Sequence, residues 1–68
     1  MPDWDKKYRV KYKEGNKVKS FVAVLDRYEG EGGSDRWYQF KLGTKRIDLN
    51  RDNIISMTKT TDKISKVI

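Results

Sequence analysis

The sequence predicts an all-β domain, built as a small, closed or nearly closed barrel of five strands. Three observations predict it. Aromatic and branched residues alternate with polar ones at a period of two along most of the chain. Turn chemistry recurs between these segments, at Glu14-Gly15-Asn16, Gly43-Thr44 and Asn50-Arg51-Asp52-Asn53. One segment, Phe21-Val22-Ala23-Val24-Leu25, is apolar without interruption, so its strand is covered on both sides midway along its length. A long, bent strand of that kind belongs in a small barrel.

With 68 residues the chain makes one domain, whose core has to be economical. It contains neither cysteine nor histidine, so disulfides and the usual zinc ligands are not expected to reinforce that core. No apolar run has the length needed to span a bilayer, and Met1-Pro2-Asp3-Trp4-Asp5 lacks the blocks of a secretion signal. The expectation is a cytoplasmic protein with no membrane association.

The first strand is Lys7-Tyr8-Arg9-Val10-Lys11-Tyr12-Lys13, with Tyr8, Val10 and Tyr12 inward and Lys7, Arg9, Lys11 and Lys13 outward. Glu14-Gly15-Asn16 suits a three-residue hairpin loop. The second strand then runs from Lys17 to Tyr28, and Lys13 pairs with Lys17. In that register Tyr12, Val10 and Tyr8 face Val18, Ser20 and Val22 on the inner side. The outer side collects Arg9, Lys11, Lys13, Lys17, Lys19 and Phe21. A slip of one residue would turn the second strand over.

Glu29 to Asp35 is glycine-rich and acidic, a solvated loop. The third strand, Arg36-Trp37-Tyr38-Gln39-Phe40-Lys41-Leu42, points Tyr38, Phe40 and Leu42 inward and leaves Arg36, Trp37, Gln39 and Lys41 wet. Ile47 and Leu49 are the inward residues of the fourth strand, Lys45 to Leu49. A single turn at Asn50 to Asn53 leads to the fifth strand, Ile54 to Lys59. Trp4 is expected as a lid on the barrel. Residues 1–59 thus form the domain and 60–68 a tail. For the tail two readings stay open: a short helix capped at Thr61 or Asp62, with Ile64, Val67 and Ile68 at helical spacing, or a disordered end.

Five short strands, a long bent second strand and a one-turn break before the last strand resemble the SH3-like small-barrel superfamily. That group includes small archaeal chromatin proteins, KOW and Tudor-type modules and Sm-like RNA-binding proteins. The resemblance is one of layout and covers about residues 7 to 59. Ile47-Asp48-Leu49-Asn50-Arg51-Asp52-Asn53-Ile54 looks like the end of the Sm-like pattern, where an arginine in the break helps hold RNA. Asp52 stands where a glycine usually follows that arginine, and the N-terminal helix of that family has no counterpart. The resemblance therefore implies the barrel and not the RNA site.

The formal net charge is +6, and its placement is informative. Lys6, Lys7, Arg9, Lys11, Lys13, Lys17 and Lys19 stand against Glu14 alone between residues 6 and 19, and the other nine bases are matched by nine acids. All the excess charge thus lies in one hairpin, as a localised anion-binding patch requires. The predicted function is non-catalytic binding of nucleic acid, DNA or RNA, through the phosphates. Its candidate residues are Lys7, Arg9, Lys11, Lys13, Lys17 and Lys19, with Phe21 and Trp37 as stacking or wedge residues and Arg36 and Lys41 flanking Trp37. Ordinary alternatives accompany them: a solubilising surface for the cations, a packing role for each aromatic, and pairing with Asp35 or Asp48 for the bases around Trp37.

Catalysis is not expected. There is no histidine, no thiol and no phosphate-loop signature, and Glu29 and Glu31 lie in a polar loop without burial to raise a carboxylate pKa. Neither a cofactor nor a metal is expected. The competing reading is a protein-interaction or regulatory module, of the kind mobile genetic elements encode, using its sheet edges. In either case a monomer or small homo-oligomer is expected.

Overall fold

A computed structural model of the protein describes residues 3–29 and 37–65. Those residues are all-β. Strands β1 (Lys7–Glu14), β2 (Lys17–Glu29), β3 (Trp37–Leu42), β4 (Lys45–Asn50) and β5 (Ile54–Lys59) form one antiparallel sheet in the order β4-β3-β2-β1-β5. No helix among the described residues is long and apolar enough to cross a membrane.

The first hairpin departs from the expected register. Glu14 pairs with Lys17, so the loop is the two residues Gly15 and Asn16. Gly15 has φ +60° and Asn16 does not have positive φ, the pattern of a type II′ turn, whose twist matches that of the flanking strands. Shortening the loop by one residue turns β2 over relative to β1. Val10 now pairs with Phe21, Tyr12 with Lys19, and Lys13 with Val18. Phe21 therefore points inward with Ala23 and Leu25, while Val18, Ser20, Val22 and Val24 take the outer face.

This register builds the core. Tyr8, Val10 and Tyr12 from β1, Phe21, Ala23 and Leu25 from β2, and Tyr38, Phe40 and Leu42 from β3 form one buried cluster. Ile47, Leu49, Ile54 and Met57 pack against its rim. The rings of Tyr12, Phe21, Phe40 and Tyr38 run in a chain across it, with centroids 5.5, 5.4 and 6.4 Å apart in succession. The central contact, Phe21 on Phe40, is edge to face at 75°, the geometry that the ring quadrupoles favour.

The sheet curls but does not close, so the barrel is an open one. β4 and β5 are the two outermost strands, yet the single 3-10 turn Arg51–Asn53 joins them. Three residues reach about 10 Å at full extension, which forces the two edges of the sheet toward each other. Asn50 caps that turn, its side chain accepting from the Asp52 N–H at 2.9 Å. The bend in β2 comes from a bulge: Leu25 pairs with Phe40 and Arg27 with Gln39, leaving Asp26 as the extra residue.

The tail is neither of the two alternatives expected of it over the residues described. Thr60 prolongs the pairing of β5, its N–H donating to the Lys7 carbonyl at 3.2 Å. Residues 61–65 contain no helix. They cross the outer face of β1 and end on β2, where the Ser65 N–H donates to the Val22 carbonyl at 2.9 Å and the Val22 N–H donates to Ser65 Oγ at 2.7 Å. Val67 and Ile68 lie outside the described residues. Trp4 stays exposed and so does not close the barrel. The N-terminus is held instead by Asp3, whose carboxylate pairs with Lys59 and whose N–H donates to Tyr8 Oη at 2.7 Å.

Candidate nucleic-acid interface

Alternation along β1 places Lys7, Arg9, Lys11 and Lys13 in one outward row, successive members about 7 Å apart along the strand. Their neighbours across the sheet are short. Lys11 lies between Ser20 of β2 and Ser56 of β5, Arg9 between Val22 and Thr58, and Lys13 beside Val18. The face is thus a line of cations bordered by hydroxyl groups, with no aromatic ring among its cross-strand neighbours. Hydroxyl and ammonium donors of this sort suit phosphate oxygens, which accept from either.

The row is divided by the tail. Asp62 places its carboxylate on the Arg9 guanidinium, and Lys7 Nζ donates to the carbonyls of Thr61 and Asp62 at 3.3 and 2.9 Å. The guanidinium beside it, and the Thr60 side chain, hold the Asp62 carboxyl below the usual carboxylate range. Lys11 and Lys13 pair with no acid among the described residues.

The one-residue change in register also redistributes the other candidates. Lys17 and Lys19 belong to the inward-pointing series of β2, at the open end beyond the core, and not to the outer face. Lys19 pairs there with Glu14 at 3.1 Å. Phe21 is 1% exposed and packed between Tyr12 and Phe40, so it offers no stacking surface and is withdrawn from the site. Its apolar, ring-filled setting is a core position that the longer loop would have placed on the outside.

Trp37 is 49% exposed but stands at the wrong end of β2. It pairs with Glu29, twelve residues along the strand from Lys17. The structure therefore does not bring Trp37 together with the hairpin cations. Arg36 lies outside the described residues. Lys41 has a different occupation from either expectation: its Nζ is 3.3 Å from Asp26 Oδ1, while Arg46 Nη1 is 3.0 Å from Asp26 Oδ2. Asp26, the bulge residue, with a side chain only 13% exposed, ties β2 to β3 and β4 through these two cations. The acid that holds them is thus Asp26 and not Asp48, and Asp35 lies outside the described residues.

A second concavity, about 400 Å³, opens on the inner side where the β3–β4 hairpin parts from the first half of β2. Leu42, Ile47, Leu49 and Tyr12 line it together with Lys19, Lys45, Glu14 and Asp48. Its charges balance, so it adds nothing to anion binding. No group of three or more histidine, cysteine, aspartate or glutamate residues that could hold a metal occurs among the described residues. Comparison with protein families, with curated proteins and with solved structures finds no match for this chain. What fold and face define is a small, open, single-sheet β domain with one cationic outer surface.

Proposed function

We propose that this protein binds nucleic acid through the phosphate backbone, without catalysis and without reading base sequence, using the outer face of the β1–β2 hairpin. One observation carries the reading: the chain's whole charge excess falls in this hairpin, and four of its seven cations share one outward row along β1. Serine and threonine hydroxyls beside the row add neutral donors for phosphate oxygens. The separation of Trp37 from the row supports backbone contact over base stacking.

Lys11 and Lys13 on this face have no acid partner among the described residues, and two phosphate contacts give a slope of about −1.4 to −1.8 in log affinity against log salt. Affinity should then fall about 7- to 12-fold between about 50 and 200 mM salt. The test is a titration of labelled duplex DNA, single-stranded DNA and RNA across that range, repeated with Lys11→Glu and Lys13→Glu together. The double variant should lose nearly all binding, whereas Arg27→Glu with Lys45→Glu, the same charge change placed off the row, should lose far less. Absence of binding to all three at low salt would refute the proposal.

A second reading rests on the open sheet. Among the described residues no strand lies beside the outer edges of β4 and β5, and Ile55 on β5 and Val18, on the stretch of β2 that β3 leaves unpaired, are exposed apolar residues. A partner's strand added there is the alternative use of this domain. Recovery of one stoichiometric partner after nuclease treatment favours it, and recovery of nucleic acid alone counts against it.

A further inference from the structure

The tail's contacts are those of a ligand. Among the outer-face residues of β2 whose burial is described, Val22 alone is sealed, at 3% exposed, whereas Val18 on the same face is 58% exposed. The difference is where the tail lies. The parity of the hairpin explains how it attaches. Glu14 and Lys17 close the two-residue turn, and the Leu25 N–H donates to Lys6 in the extension of β1, so odd-numbered residues of β2 direct their backbone groups at β1. Even-numbered ones direct theirs away. The pairing of β3 with β2 begins only at Val24, so the N–H and C=O of Val22 face an unfilled edge, and Ser65 fills it.

Between β5 and that edge the tail passes over Lys7 and Arg9. It presents to them one carboxylate and two carbonyl oxygens, the same kind of acceptors that a phosphodiester would present. Most of the strap is exposed, and apart from its cover over Val22 its hold consists of the Asp62–Arg9 pair and a few hydrogen bonds at its two ends, which places it among the segments that open locally at small free-energy cost.

We propose that residues 61–65 act as an intramolecular competitor of the phosphate backbone, occupying the Lys7 and Arg9 half of the cationic row and leaving it when nucleic acid binds. This rests on the nucleic-acid reading above and adds its regulation. Two states follow. With the strap down, Lys11 and Lys13 provide the outer-face contacts; with it lifted, Arg9 and Lys7 join them and the Val22 edge opens.

The experiment compares the full-length protein with Asp62→Asn, and with Asp48→Asn as a control of equal net charge, in titrations of a labelled DNA oligonucleotide at several salt concentrations. Amide hydrogen exchange at Val22 is followed with and without the DNA. Asp62→Asn should bind more tightly than both others. In the unaltered protein the Arg9–phosphate contact replaces the internal pair with Asp62, so about one fewer ion is released than in Asp62→Asn. The variant's slope should be steeper by about 0.7 to 0.9, and its ratio of affinities between about 50 and 200 mM salt should exceed that of both others by about 3-fold. In the unaltered protein DNA should accelerate exchange at Val22. If the protein binds DNA but Asp62→Asn behaves like Asp48→Asn and Val22 stays protected, the strap is structural and the competitor proposal falls while the binding function stands. If neither the protein nor Asp62→Asn binds, the binding function itself falls, and the proposal with it.

Discussion

Replacing Phe21 by alanine separates the two possible registers of the first hairpin. In the observed register the ring is fully enclosed, edge-on to Phe40 and tilted against Tyr12. An aromatic side chain of this kind buries about 200 Å², which at about 25 cal/mol per Å² corresponds to about 5 kcal/mol. Alanine keeps a fraction of that burial and leaves a cavity that the sheet can only partly close, so the net loss is about 3–5 kcal/mol. For a domain of 68 residues the whole stability is about 3–10 kcal/mol. Phe21→Ala should therefore lower the melting temperature by more than about 12 °C or unfold the domain outright, since each kcal/mol shifts the midpoint of so small a domain by about 4–8 °C. Phe21→Leu, which keeps most of the volume, should lose about 1–2 kcal/mol. Urea titration followed by tryptophan fluorescence and circular dichroism measures both. A loss below about 1 kcal/mol for Phe21→Ala is what an outward-facing residue would show, and it would refute the two-residue turn and every facial assignment built on it.

Other outcomes follow from the same geometry. Gly15→Ala should destabilise by about 1–2 kcal/mol purely through its positive φ, because an added Cβ would meet no atom within 4 Å; a D-alanine at that position in a synthetic chain should abolish the loss. Asp26→Asn removes the carboxylate that Lys41 and Arg46 share, and a loss of about 1–2 kcal/mol, shrinking as salt is raised, is expected from denaturation curves because both cations are largely solvated. Asp62 and Asp3 have carboxyl pKa values lowered by Arg9 and Lys59 respectively, so the stabilisation they provide is present above the ordinary carboxylate value and is lost as pH falls through their lowered folded values. Protection of the Val22 amide should accordingly persist through mildly acid solution and disappear only below the pH at which free carboxylates titrate; loss of protection already near neutrality would rule out the Asp62 contact as its anchor.

Much of the fold was legible because local pattern and tertiary structure agree. Tyr8, Val10 and Tyr12 alternate with four cations, and Tyr38, Phe40 and Leu42 with polar residues, and each of these sets occupies the face that a period of two assigns it. The turn before β5 and the limits of that strand were also visible, since Asn50 supplies its own cap and Ile54 resumes the apolar pattern. β2 was harder. Its apolar run, Phe21 to Leu25, carries no alternation, so which of its residues face inward depended wholly on the length of the turn before it.

The outward row of Lys7, Arg9, Lys11 and Lys13 was accordingly readable, whereas the placement of Lys17, Lys19 and Phe21 was not. Trp37 was rightly judged exposed, but its distance from the row depends on how far along β2 the third strand pairs, a matter of non-local register. Nothing in the residues around Asp62 or Ser65 announced a strap, because its anchors, Arg9 and Val22, lie 53 and 43 positions away in the chain.

By itself, then, the amino-acid order determined the strand periods, the inward faces of β1 and β3, and the confinement of net charge to one hairpin, all of which are properties of neighbouring residues. Tertiary structure alone decided the register of β2, the open rim between β4 and β5, and the covering of Lys7 and Arg9. Each of these rests on contacts between residues far apart in the chain, and the register of β2 shows why. The turn residues Glu14-Gly15-Asn16 suit loops of two or three residues, and the choice falls to the ring of Phe21, which gains its contacts with Phe40 and Tyr12 in only one of them.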